Sequence, residues 1–232
     1  MTIGAEPAQA QTFSLDLGGG GPTATGRLVQ LFVLLTVLSL APSILVMVTS
    51  FTRIVVVLSF LRTAMGAQQT PPNQVMISLA LFLTVFVMMP TFEASWDQGI
   101  RPFVDGEIEE AEAFEKSLAP VHQFMRRYVR EKDLGLFLRI SKAPQPESPE
   151  AIPLRVLIPA FMISELRRAF EIGFLVFIPF LVIDMVVASV LMSMGMMMLP
   201  PIIIALPFKI IFFVLIDGWF IIVGSLVESF AR

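Results

Sequence analysis

The chain has 232 residues, 56% of them hydrophobic and only 15% charged, with a mean hydropathy of +0.81. A soluble domain carries about 25% charged residues, so this composition points to a membrane-linked protein. Zero cysteines exclude disulfides and thiolate chemistry, and a net charge of −3 with a pI near 5.2 offers no basic field for nucleic acid.

Residues 1–27 are polar, and the run from Gly18 to Pro22 reads as a flexible spacer. No Gly-Lys-Ser/Thr follows the glycines, which removes a phosphate-loop reading. Ala8-Gln9-Ala10 resembles a signal-peptidase triplet, with no apolar region upstream of it.

Residues 28–92 read as a first hydrophobic helical hairpin. Leu28 to Ser50 is long enough to cross ~30 Å of hydrocarbon, and Pro42 predicts a kink or break near Leu40. Apolar character resumes after Arg53, whose charge costs about 2.5–3.5 kcal/mol in a bilayer helix even on a lenient scale. Arg53 is therefore expected to snorkel, to pair with a carboxylate, or to lie outside lipid. Arg62 to Asn73 is the predicted turn, and Gln74 to Phe92 the second arm, ending at Pro90. Arg62 places that turn on the cytoplasmic side by the positive-inside rule.

Residues 93–153 differ in kind. Glu93 to Glu150 holds 12 of the 19 acidic and 8 of the 16 basic residues. Glu107 to Phe124 is predicted as an amphipathic helix with an acidic face, within a small polar insert on the extracytoplasmic side. Arg126 to Lys132 reads as a contact with a neighbouring subunit or, more simply, as a solvated basic face, and Ala143 to Pro153, with four prolines, as an exit linker.

Residues 154–232 form the second hydrophobic hairpin. Spacing allows ion pairs of Arg167 with Glu171 and of Glu165 with Arg168. Pro179 and Asp184 interrupt the first arm, and Pro207, Lys209 and Asp217 the second. Between the arms lies Leu191-Met192-Ser193-Met194-Gly195-Met196-Met197-Met198-Leu199-Pro200-Pro201, with five of the chain's 14 methionines in residues 192–198. Methionine is flexible and polarizable, so the cluster reads either as a deformable seal or as ordinary hairpin packing.

Catalysis finds little support. His122 is the only histidine and reads as a solvated surface residue, with no cysteine or second histidine to complete a metal site or nucleophile pair. Arg53, Asp184 and Asp217 are predicted as buried charges, and Asp184, Lys209 and Asp217 are expected to point into a bundle, a pore or a subunit contact. For the aspartates a proton relay and a structural bridge, such as Asp184 with Lys209, both remain open. The fold class read from these features is all-α: four long apolar, Pro-broken segments in membrane-associated hairpins, with a helical polar insert. A pore component and an ion-coupled secondary transporter using Asp184 and Asp217 both fit that description.

Distinctive stretches of the first half are Met47-Val48-Thr49-Ser50-Phe51-Thr52-Arg53-Ile54, Pro71-Pro72-Asn73-Gln74-Val75, Ala80-Leu81-Phe82-Leu83-Thr84 and Asp133-Leu134-Gly135-Leu136-Phe137. Those of the second are Pro159-Ala160-Phe161-Met162-Ile163-Ser164-Glu165-Leu166, Phe170-Glu171-Ile172-Gly173-Phe174, Ile178-Pro179-Phe180-Leu181, Gly195-Met196-Met197-Met198 and Ala205-Leu206-Pro207-Phe208-Lys209. Together they resemble the FliP family of flagellar type III export gates, related to the SctR proteins of virulence systems. The resemblance covers roughly Leu28 to Phe230 and departs at the N-terminus, where the family often carries a signal peptide.

This resemblance implies a non-enzymatic subunit of a ring or cone, without cofactors, in the bacterial inner membrane and flagellar basal body. It implies a homo-oligomer of five copies joined by FliR and several FliQ, with FlhA and FlhB as neighbours and unfolded flagellar proteins as cargo. It also implies that the hairpins sit largely above the bilayer, on the periplasmic side. Met196, Met197 and Met198 match the family's methionine gasket, and Phe124, Phe137, Glu165 and Lys209 match positions linked to subunit assembly.

Overall fold

The structure, a computed structural model, describes residues 24–66, 70–142, 146–196 and 198–231. Most of the expected N-terminal spacer, residues 1–23, lies outside the described residues, and so does Met197. The chain divides into two compact units, Met1–Ala41 and Pro42–Arg232. Every regular element among the described residues is a helix.

In the first unit, α1 (Ala24–Val48) begins, and its apolar side chains stand in the open: Phe32, Leu35 and Leu38 are all exposed. Its hydroxyls are satisfied locally, Thr36 donating to the Phe32 carbonyl and Ser39 to that of Thr36, so the surface presented is almost purely apolar. Such a helix, apolar all round, suits lipid or the interior of an assembly.

The second unit is built on α2 (Phe51–Met65), whose side chains Ile54, Val57, Leu58, Leu61 and Ala64 are buried, chiefly against α7 (Leu154–Ser193). The break before α2 falls at Thr49-Ser50 and not near Leu40, because α1 continues through Pro42 to Val48. Threonine side chains explain the position. Thr49 Oγ1 takes the Leu45 carbonyl at 2.7 Å and Thr52 Oγ1 the Val46 carbonyl at 2.9 Å, satisfying acceptors that the ending helix would orphan. Arg62 lies in the last turn of α2, so the turn expected to start there begins later, at Gly66.

The second arm also outruns its prediction. α3 (Asn73–Ser95) passes through Pro90, continues as a π-helical turn (Trp96–Ile100) and ends in α4 (Arg101–Val104). The helical run Asn73–Val104, 32 residues long, therefore continues past residue 93, where Glu93, Asp97 and Arg101 end its apolar character. Gly99 in the π-helical turn is required by close approach: a Cβ there would lie 2.1 Å from Ser117 Oγ and 2.6 Å from the Ser117 nitrogen. This contact seats α5 (Glu110–Tyr128) against the arm. The amphipathic helix expected at Glu107–Phe124 is thus present, shifted by a few residues. α6 (Glu131–Ser141) follows and packs on α7, and a single 3-10 turn (Pro149–Ala151) leads into α7.

α7 is one helix of 40 residues, about 60 Å long, and it passes through both Pro159 and Pro179. After the methionine turn come α8 (Pro201–Leu215) and α9 (Gly218–Glu228), bent by 64°. That break sits at Asp217 and not at Pro207, which lies inside α8. Among the described residues, three helices are long and apolar enough to cross a membrane, or four spans if α8 and α9 count as one broken span.

Candidate gate turn and buried charge network

The methionine turn is fixed at both ends and open in the middle. Met196 N donates to the Leu191 carbonyl at 3.0 Å and Gly195 N to the Met192 carbonyl at 3.1 Å, the paired bonds of a Schellman cap. Gly195 supplies the left-handed residue that this cap needs, with φ 74°. Pro200 and Pro201 then pre-set the start of α8. The side chains stay uncovered: Met192 and Met194 are exposed, Met196 is 41% exposed and Met198 98%. An apolar side chain left entirely in the open is the unusual feature here, since the surrounding backbone is ordered by its own hydrogen bonds.

Above this turn, Lys209 and Asp184 bind α8 to α7. Lys209, 3% exposed, donates to Asp184 Oδ2 at 2.6 Å and to the Ala64 carbonyl at 3.1 Å, so three helices converge on one ammonium group. Asp184 is half-buried, and its Oδ1 is enclosed without a hydrogen-bond partner. The bridge set out from sequence is therefore present. Asp217, expected to be buried, is exposed on this chain: it occupies the left-handed residue of the α8–α9 bend, at φ 53°. Aspartate tolerates that conformation better than most residues, which accounts for its place at a helix break.

The largest buried polar cluster centres on Arg53. Its Nε donates to Glu165 Oε2 at 2.8 Å and its Nη2 to Glu165 Oε1 at 2.5 Å, a two-point clasp in which both residues are essentially inaccessible. Nη1 reaches α9's end, donating to Ser229 Oγ at 2.9 Å and to the Ser229 carbonyl at 3.1 Å. The guanidinium carbon lies 3.7 Å from the Phe230 ring centroid and 5.6 Å from that of Tyr128. Phe124 completes the wall, packing on Tyr128, Phe161 and Phe230 with centroids 4.9, 5.9 and 6.2 Å away. Of the three fates open to Arg53, pairing with a carboxylate is the one observed.

Glu165 is consequently unavailable to Arg168, which reaches Glu171 at 3.7 Å instead, beside the Arg167–Glu171 pair at 2.8 Å. A second cluster lies one turn away. Ser164 Oγ accepts from the Arg130 nitrogen at 3.0 Å and lies 2.7 Å from Asp133 Oδ2, while Arg130 clasps both Asp133 oxygens at 2.9 Å. Burial alone raises the Asp133 pKa, but the Ser164 hydroxyl and the Arg130 guanidinium outweigh it and hold the carboxyl below its ordinary value. Phe137 is half-buried on α6.

Two further expectations shift. His122 is half-buried, its Nε2 2.8 Å from the Ile152 carbonyl, and so holds the linker down instead of facing water. The basic run is not simply solvated: Arg126 pairs with Glu150, whose pKa that contact lowers, and Arg130 with Asp133. Sequence reasoning missed Ser229, Phe230 and Tyr128 as partners of Arg53. The signal available was the lone arginine itself, which demanded donors and faces without naming them.

The FliP family model matches residues 34–226. A Caulobacter vibrioides protein described as flagellar biosynthetic protein FliP is 67% identical over 232 residues, spanning 100% of this chain and 86% of its own. Proteins of the same description from Bacillus subtilis and Aquifex aeolicus are 56% identical over 209 residues and 52% over 204. The first pairing covers 90% of this chain and 95% of the relative, the second 87% and 85%. With most of its length matched at this identity, the chain belongs to the FliP family.

Proposed function

We propose that the chain is a non-enzymatic pore subunit of the flagellar export apparatus, conducting unfolded flagellar proteins across the bacterial inner membrane. The observation that carries this reading is the methionine turn, capped by backbone hydrogen bonds, with Met198 98% exposed and Met196 41% exposed. Several copies around one axis bring these flexible apolar side chains together, where they exclude water and ions yet spread around a passing chain. Met197 takes the same part by its place in the sequence.

The uncovered apolar faces of α3, α7 and α8 support an assembled state, because a lone chain leaves Phe82, Phe86, Phe174, Leu175 and Ile211 exposed. Five copies with FliR and FliQ form the gate, FlhA and FlhB lie beside it, and the polar insert faces the periplasm within the basal body. Phe124 and Glu165 serve assembly through the Arg53 cluster, which fixes α9 on α2 and α7. Lys209 acts through the Asp184 bridge, and Phe137 from the surface of α6.

The test is the mass of the detergent-solubilised protein, alone and expressed with its partners. A discrete pentamer that grows by a defined mass with FliR and FliQ is expected. A monomer or dimer unchanged by both partners would contradict the reading.

A further inference from the structure

A cavity of about 550 Å³ opens where α2, α5, α7 and α9 meet, beside the Arg53 cluster. Its rim carries Arg127, Arg130, Arg167 and Arg168. Arg130 is held by Asp133, and Arg167 and Arg168 share the single carboxylate of Glu171. Arg127 is exposed, lies 5.7 Å from the Tyr128 ring centroid and has no carboxylate partner among the described residues, although Glu228 also lines the cavity. Four arginines thus face three carboxylates, which leaves room for one more acid. Tyr128 and Ile172 give the same cavity apolar wall.

The complementary surface is at the other end of α5. Glu110 and Phe114 stand one turn apart on the same face of that helix, and with Glu109 and Ala111 they line a shallow depression. Phe114 is 68% exposed, and Glu110 is exposed with no ion-pair partner among the described residues. Glutamates near a helix N-terminus favour the helix dipole, and Phe114 adds an exposed phenyl ring to the same face. Phe114 and Arg127 are 13 residues apart on one helix, about 20 Å, so the two surfaces cannot meet within a chain. Two different patches that match each other make a head-to-tail contact, the kind that closes rings.

We propose that in the assembled ring Phe114 of one copy enters the arginine-rimmed cavity of the next, with Glu110 paired to Arg127. Aromatic residues, phenylalanine included, and arginine are both enriched at protein interfaces. This inference rests on the ring reading above and specifies which faces meet.

The experiment compares full-length variants by the mass of the purified assembly. Arg127→Glu and Glu110→Arg are each expected to lower the assembled fraction at least tenfold, as is Phe114→Ala. The pair Arg127→Glu with Glu110→Arg is expected to recover it, and Arg139→Glu, exposed on α6 away from the cavity, to leave it unchanged. Single variants that assemble like the parent, or a charge-exchanged pair no better than the singles, would overturn the contact while leaving the ring reading intact. A parent protein that does not assemble would overturn both.

Discussion

Arg53 and Glu165 show how a charge can lie in so apolar a chain. Taking both from water is costly, and their attraction offsets this only because every guanidinium nitrogen has an acceptor and an aromatic ring covers one face. Removing one partner leaves the other buried and unpaired, so Glu165→Ala is expected to destabilise the folded chain by about 3–5 kcal/mol. The double variant Arg53→Met with Glu165→Leu should lose less than that single change. Thermal unfolding in detergent, followed by circular dichroism, checks both. Asp133 gives a pH prediction with a definite sign. Its pKa is lowered in the folded chain, so its stabilisation is present above the ordinary aspartate range and is lost as pH falls through the folded value. Asp133→Asn should remove that acid-side loss from the melting profile, and a profile unchanged by the substitution would count against the Ser164–Arg130 cluster.

At the scale of elements, helix type and order were legible from hydropathy, and so were the breaks at Gly66 and at the methionine turn, but two other breaks were not. Pro42, Pro90, Pro159, Pro179 and Pro207 all lie inside helices, whereas the chain breaks at Thr49-Ser50 and at Asp217. A proline removes one donor and strains one turn, and packed neighbours can absorb that. At the first break Thr52 reaches back six residues to the Val46 carbonyl, yet in sequence it looks like an ordinary polar interruption. The partner of Arg53 was unreadable for a similar reason: Glu165 lies 112 residues away, and its nearer neighbour Arg168 offered a plausible local pair. The crossing at Gly99 was equally invisible. Gly99→Ala is expected to cost about 1–3 kcal/mol, since its Cβ meets the α5 backbone at Ser117 and Ala113 as well as the Ser117 side chain. Gly135→Ala, in α6 with its nearest atom 4.0 Å away, should instead gain up to about 1 kcal/mol from helix propensity. Melting temperatures that move in the same direction would contradict this account of the crossing.

For the molecule as a whole, a firm interior lies beside surfaces that the chain does not cover. α2, α7 and the end of α9 are clamped by the Arg53 cluster, while the methionine turn and the flanks of α3, α7 and α8 stay bare. Such a division fits a subunit whose exposed half is completed by its neighbours, with the least constrained side chains at the centre. Methionines closing a pore predict leakage when they are shortened. The most direct measurement is ion conductance across membranes holding the assembled complex, comparing the parent with Met196→Ala, Met197→Ala, Met198→Ala. A tight parent and a triple variant that leaks ions while assembling to the same mass are the predicted result. A triple variant that assembles and stays as tight as the parent would contradict a methionine seal.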